Sequence, residues 1–223
     1  MSRVNQVTPE KASGKVKDFY EAIQKKMGRI PNIFLNMGNS PAVLEGYLSL
    51  SDAVGHTSLS PQLREQIALA VGQANHCNYC LSAHTTIAKG AGIADNDIIK
   101  ARQGQSHDPK IQSILKFVKH VVETRGNINN HDVSNLKAAG VTDHELVEII
   151  LVIAINMFTN YFNHITDSLE KLKQELIRFR AARPTRQFPL PDIQNFFVFF
   201  YSLKTIVEEL RKMEKRIEAL HLV

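Results

Sequence analysis

Arg64-Glu65-Gln66-Ile67-Ala68-Leu69-Ala70-Val71-Gly72-Gln73-Ala74-Asn75-His76-Cys77-Asn78-Tyr79-Cys80-Leu81-Ser82-Ala83-His84 is the stretch that decides how this chain is read, and it holds both cysteines of the sequence. Asn75 is an N-cap candidate, which predicts that Cys77 and Cys80 lie in the first turns of a helix. There, orphan N–H groups and the helix dipole favour thiolate over thiol. Cys77, Cys80 and His84 follow at steps of three and four, so they share one helical face, with His84 one turn beyond Cys80. Glu65 belongs to the preceding helix. A hairpin turned over Gln73 to His76 would return its carboxylate to the same cluster.

Outward from this motif, apolar residues recur at three- and four-residue spacing between Gly, Pro and Asn punctuation, with hardly any alternating pattern. An all-α body follows, with helices expected over about 9–27, 41–54, 61–74, 77–90, 95–103, 109–125, 130–139 and from 143 onward. Ser60-Pro61 is a start signal, a capping hydroxyl followed by proline where its missing N–H does no harm. Ala91-Gly92-Ile93-Ala94-Asp95 and Ala139-Gly140-Val141-Thr142-Asp143 share one punctuation, a glycine stop and then a new acidic helix start. Thr142 and Glu145 also fit a capping box.

The chain has 223 residues, is 43% hydrophobic and 22% charged, and contains no Trp. This is globular composition with ample chain for a core, and two thiols are too few for a disulfide scaffold. The N-terminal MSRVNQVTPEKASGK has no apolar h-region, and the longest apolar runs, Ile149 to Ile155 and Phe196 to Tyr201, fall short of a bilayer span. The expectation is a cytoplasmic protein with no membrane partner. The net charge of +5 is concentrated late: from Ser168 onward there are 11 Lys+Arg against 7 Asp+Glu, leaving 16 against 15 before it. A nearly neutral body has no footprint for a phosphate backbone, so no nucleic-acid partner is expected.

Three chemistries compete for the Glu65, Cys77, Cys80 and His84 cluster. Four zinc ligands are present by type, although structural zinc usually draws its second ligand pair from another knuckle. Free cysteines also serve as small buried hydrophobes, but a pair at CxxC spacing on a helix start is poorly explained that way. Redox chemistry fits best. One thiolate attacks a peroxide oxygen and becomes a sulfenic acid, which the other thiol resolves to a disulfide.

The pattern Glu65-x11-Cys77-x-x-Cys80-x3-His84 resembles the alkylhydroperoxidase D-like branch of the carboxymuconolactone decarboxylase family. The similarity is strongest over about residues 40–100 and extends to about Asp167, taking in the Asn-Tyr-Phe-Asn-His stretch at 160–164. The resemblance implies an all-α alkylhydroperoxidase D-like bundle assembling as a homo-oligomer of three or six copies. It implies hydroperoxide reduction by a redox-active Cys77–Cys80 disulfide, with no bound cofactor and a dihydrolipoyl or other thiol partner as electron donor. By position, Cys80 corresponds to the attacking thiol, Cys77 to the resolving thiol, His84 to the proton-relay histidine and Glu65 to the general base. Helix-terminus electrostatics alone would favour Cys77 as the more acidic thiol. The chain departs from the characterised peroxidase at Tyr79, where that protein carries a second histidine between the cysteines.

Residues 168–223 lie beyond the family pattern. Glycine is absent after Gly140, and apolar residues from Phe162 through Ile165, Leu169, Leu172, Leu176 and Phe179 would continue the last helix of the body. Arg183-Pro184 and Phe188-Pro189-Leu190-Pro191 interrupt it. Phe196, Phe199, Leu203, Ile206, Leu210, Met213, Ile217 and Leu220 then form a heptad seam. A helical hairpin or coiled-coil-like oligomerisation element is expected, resembling an engineered fusion more than a native extension.

Overall fold

The computed structural model describes residues 3–166. The expected helical extension at 168–223, with its heptad seam, its assembly role and its origin as a fusion, lies outside the described residues. One compact unit spans Val4–Ile165.

A short 3-10 turn, Pro9–Lys11, precedes nine helices among the described residues: α1 (Gly14–Met27), α2 (Asn32–Met37), α3 (Pro41–Gly55), α4 (Pro61–Ala74), α5 (Asn78–Gly90), α6 (Asp95–Gln103), α7 (Pro109–Glu123), α8 (Asn130–Ala138) and α9 (Asp143–Thr166). The described residues contain no strand. The starts follow local chemistry. Ser60 Oγ accepts from the Leu63 N–H ahead of Pro61, and Asp108 caps α7 in the same way ahead of Pro109. Thr142 and Glu145 form the expected capping box, with bonds of 2.9 and 3.1 Å. Gly92 and Gly140, at φ 83° and 85°, end α5 and α8 in the left-handed conformation that the repeated punctuation predicts.

One boundary and one whole element differ from the sequence reading. The helix expected over 9–27 is broken where Ala12 and Ser13 adopt extended backbone, so Pro9–Lys11 forms a separate turn. The six-residue α2 was not anticipated, because little more than one turn is too short to display a period.

α4 is the axis of the body. Leu63 and the unbroken run from Gln66 to Gly72 are buried, as expected of a helix covered on nearly every side. Its main core includes Leu69 and Val71 of α4, Leu81 of α5, Ile98 of α6, Ile114, Leu115 and Val118 of α7, and Ile149, Val152 and Ile153 of α9. A second core joins α1, α2 and α3 through Val16, Tyr20, Ile23, Phe34, Met37 and Leu44, with Phe162 of α9 packed against it. The Tyr20 hydroxyl lies 3.0 and 3.1 Å from the Phe34 and Val7 carbonyls and shares its one proton between them. Met37 fills this second core, whereas Met27 is 53% exposed in the last turn of α1.

α9 corrects the reading of apolar runs. Its 24 residues are long and apolar enough, by length and composition, to cross a membrane, because single polar residues interrupt the runs without making the helix polar. One face of it is packed into the body. Ile149, Val152, Ile153 and Ile155 are buried together with Asn156, Thr159, Asn160 and Asn163.

Candidate functional site

α4 ends in a turn that fixes where the cysteines go. Asn75 caps the C-terminus of α4, His76 takes a left-handed φ of 55°, and the Cys77 N–H returns to the Gly72 carbonyl at 2.9 Å. With the His76 N–H on the Gln73 carbonyl at 3.1 Å, this is a Schellman closure bearing histidine where glycine is usual. The chain then re-enters a helix at once, and Cys77 itself is the N-cap of α5. The expected N-cap, Asn75, is therefore corrected by two residues. Its side chain turns away to α9 instead, its amide lying 3.1 Å from both Asn160 Oδ1 and Met157 Sδ.

Cys77 Sγ accepts the Cys80 N–H at 3.4 Å, so one of the orphan donors in the first turn of α5 is aimed at sulfur. Cys77 and Cys80 are joined as a disulfide, with Cα atoms 5.3 Å apart, and each residue is 3% exposed. Gly72 lies behind this bond. A Cβ there would sit 3.8 Å from Cys80 Cβ and 3.4 Å from Leu81 Cδ2, which measures how closely α4 and α5 approach.

The α4–α5 hairpin returns Glu65 to α5 as the sequence predicts. His84 Nδ1 lies 2.8 Å from Glu65 Oε2, with both side chains mostly covered, at 22% and 17% exposure. The carboxylate holds the imidazole by one nitrogen and leaves the other for a proton transfer. Tyr47 of α3 borders this pair. Burial, and secondarily the Glu65 charge, holds its phenol above the usual tyrosine range. Its ring stacks on Phe158 at 6.2 Å between centroids, and Phe158 meets Phe162 at 5.8 Å. Tyr79 is half-buried between the cysteines, and His76 is exposed. Among the described residues, no three His, Cys, Asp or Glu side chains are gathered as a metal ion would require.

Sequence reasoning missed the contribution of α9. Asn163 Nδ2 donates to Cys80 Sγ at 3.3 Å, and Asn156, Asn160 and Asn163 are all buried. Asparagines at i, i+4 and i+7 inside an apolar helix lie on one face and must find buried partners. That spacing was the available signal.

The profile of the carboxymuconolactone decarboxylase family matches residues 41–120, which run from α3 through most of α7. An alkyl hydroperoxide reductase of Mycobacterium tuberculosis is 26% identical over 96 residues, covering 43% of this chain and 28% of that protein. The match thus spans little more than a quarter of that relative's length. An uncharacterised peroxidase-related protein from Ralstonia eutropha, described as an alkylhydroperoxidase core, has the same fold: TM-score 0.67, 22% identity, covering 74% of this chain and 90% of the other. The debrominase Bmp8, solved with a tribromopyrrole, superposes with TM-score 0.63 at 20% identity over 74% of this chain and 89% of its own. Residues 41–120, which carry the CxxC pair, are thus similar to the carboxymuconolactone decarboxylase family, and the fold is that of the alkylhydroperoxidase-like structures.

Proposed function

We propose that this protein is a dithiol peroxidase. The Cys80 thiolate attacks the terminal oxygen of a hydroperoxide, the O–O bond breaks, and an alkoxide leaves and is protonated to the alcohol. Cys77 then attacks the resulting sulfenic acid, forms the Cys77–Cys80 bond and releases water. A dithiol donor of the dihydrolipoyl class returns two electrons and two protons. Glu65 and His84 act as one proton-handling unit, the histidine accepting the thiol proton and passing it to the leaving oxygen while the carboxylate stabilises the imidazolium.

The observation that carries this reading is a disulfide capping α5 on the same helix whose His84 is held 2.8 Å from Glu65. Tyr79, where the characterised peroxidase carries histidine, is a tolerated departure on this reading, because the Glu65–His84 pair already supplies a base. The test is hydroperoxide consumption with dihydrolipoamide, comparing the parent chain with Cys80→Ser and Glu65→Gln. Turnover in the parent and its loss in both variants is expected. A parent that consumes no hydroperoxide and keeps both thiols free after peroxide treatment would overturn the reading.

One observation favours a second reading, in which association is the present role and the dithiol is incidental. Val147, Ile150, Phe158, Tyr161 and Ile165 are exposed along α9, from 40% to 66%. Their spacing makes one apolar helical stripe, suited to a second copy of this chain. Light scattering is expected to return a multiple of 25.1 kDa. A monomeric mass would remove this reading and the homo-oligomer together.

A further inference from the structure

The two sulfurs are held by different donors. Cys77 has the start of α5, where the Cys80 N–H points at its sulfur. On helix electrostatics alone it would be the more acidic thiol. Cys80 lies in the first turn of α5 at 3% exposure, and burial raises a thiol's pKa by penalising the anion. If Cys80 is to be the thiolate, a donor must reach it from elsewhere.

Asn163 supplies that donor. Its amide Nδ2 lies 3.3 Å from Cys80 Sγ, and the residue is only 7% exposed, so water does not dilute the bond. It comes from α9, 83 residues away in sequence, and α9 is pinned to the cysteine turn by the 3.1 Å bond from Asn75 to Asn160. An anionic sulfur accepts hydrogen bonds and cannot donate them, so an amide N–H facing it favours thiolate over thiol.

We propose that Asn163 is a further catalytic residue, whose side-chain N–H fixes Cys80 as the thiolate of the pair. The word catalytic rests on the dithiol reading above, whereas the thiolate assignment does not. The same bond serves reductive opening of the disulfide. A thiolate of the dithiol donor attacks Cys77 Sγ, forming a mixed disulfide, and the Cys77–Cys80 bond breaks. Its electron pair remains on Cys80, whose sulfur becomes an anion facing the Asn163 N–H. The donor's second thiol then displaces Cys77 as thiolate, and the oxidised donor leaves as its own disulfide.

The test is a titration of Cys80 in the full chain carrying Cys77→Ser, which leaves one thiol and places a good capping residue at the start of α5. The pH dependence of iodoacetamide alkylation, together with thiolate ultraviolet absorbance, reads the Cys80 pKa directly. Asn163→Ala is expected to raise it by about one unit, an approximately ten-fold loss of thiolate at neutral pH. Asn163→Asp, close in volume but with an acceptor in place of the donor, is expected to raise it further. Asn156→Ala serves as the control, because that amide is bonded to the Val152 carbonyl of its own helix at 2.8 Å, and it is expected to leave the titration unmoved.

If Asn163→Ala does not fold, Asn163→Asp carries the comparison, with circular dichroism confirming the helical state. A Cys80 titration unchanged in folded Asn163 variants overturns the proposal even if the parent reduces hydroperoxides. A shifted titration in a chain that reduces none supports the assignment and removes only the peroxidase reading.

Discussion

Glu65 and His84, nineteen residues apart, meet at 2.8 Å between Oε2 and Nδ1 across the α4–α5 hairpin. Glu65→Gln keeps the size and one hydrogen-bonding oxygen while removing the carboxylate charge beside the imidazole. The hydroperoxide kcat is expected to fall by roughly 10²–10⁴-fold with little change in KM, the range for loss of a positioned acid–base group. A KM effect at constant kcat would show that the pair binds substrate instead of moving protons.

Tyr47 reports the same carboxylate spectroscopically. Its phenol is held high first by burial and second by the Glu65 charge, so removing that charge relieves only the smaller cause. In Glu65→Gln, the Tyr47 pKa is expected to move down while staying above the ordinary value of 10.0. Phenolate absorbance, with Tyr47→Phe subtracted to isolate the signal, measures it. An unmoved titration would mean that the charge does not reach the ring.

His76 sits at φ 55°, where an L side chain costs about 1–2 kcal/mol and glycine costs nothing sterically. Glycine gives part of that back through its freer unfolded chain. His76→Gly is expected to stabilise the oxidised protein by about 0.5–1 kcal/mol, read as a higher denaturant midpoint at unchanged slope. A lower midpoint would show that the exposed imidazole makes a favourable contact worth more than the strain.

Glu145 gives the fold a signed pH dependence. The Lys110 ammonium at 2.7 Å, and next the Thr142 N–H, hold its carboxyl below the ordinary 4.5, so the folded state binds this proton less readily than the unfolded chain does. The stabilisation is therefore full above the unfolded value and is lost as pH falls through the lower folded value. The stability difference between the parent and Glu145→Gln is expected to be constant near neutrality and to shrink under acid. Chemical denaturation across that range checks it, and a pH-independent difference would remove the assignment.

The parts of this fold legible in the sequence are those whose cause is local. Ser60-Pro61, Asp108-Pro109 and Thr142-x-x-Glu145 each state a helix start within four residues, and the structure places helices there. The Glu65–His84 contact was legible because one short turn joins two helices of readable phase. Asn75 shows the limit, since asparagine suits both the end of one helix and the start of the next, and its type could not say which. Asn163 shows a different one. It meets Cys80 across 83 residues, and no local pattern encodes which face of α9 is laid on α5.

α4 carries Glu65 on the most thoroughly enclosed segment of the body, with Ile67, Leu69, Ala70 and Val71 each 0% exposed. Segments of that kind exchange their amide hydrogens only when the whole domain opens, whereas exposed loops fluctuate at little cost. The carboxylate is thus carried by an element whose amides are expected to exchange slowly. Its alignment with His84 is therefore expected to persist as long as the native state does, so a substitution that lowers global stability should erode the Glu65–His84 contact only in proportion to the molecules that unfold.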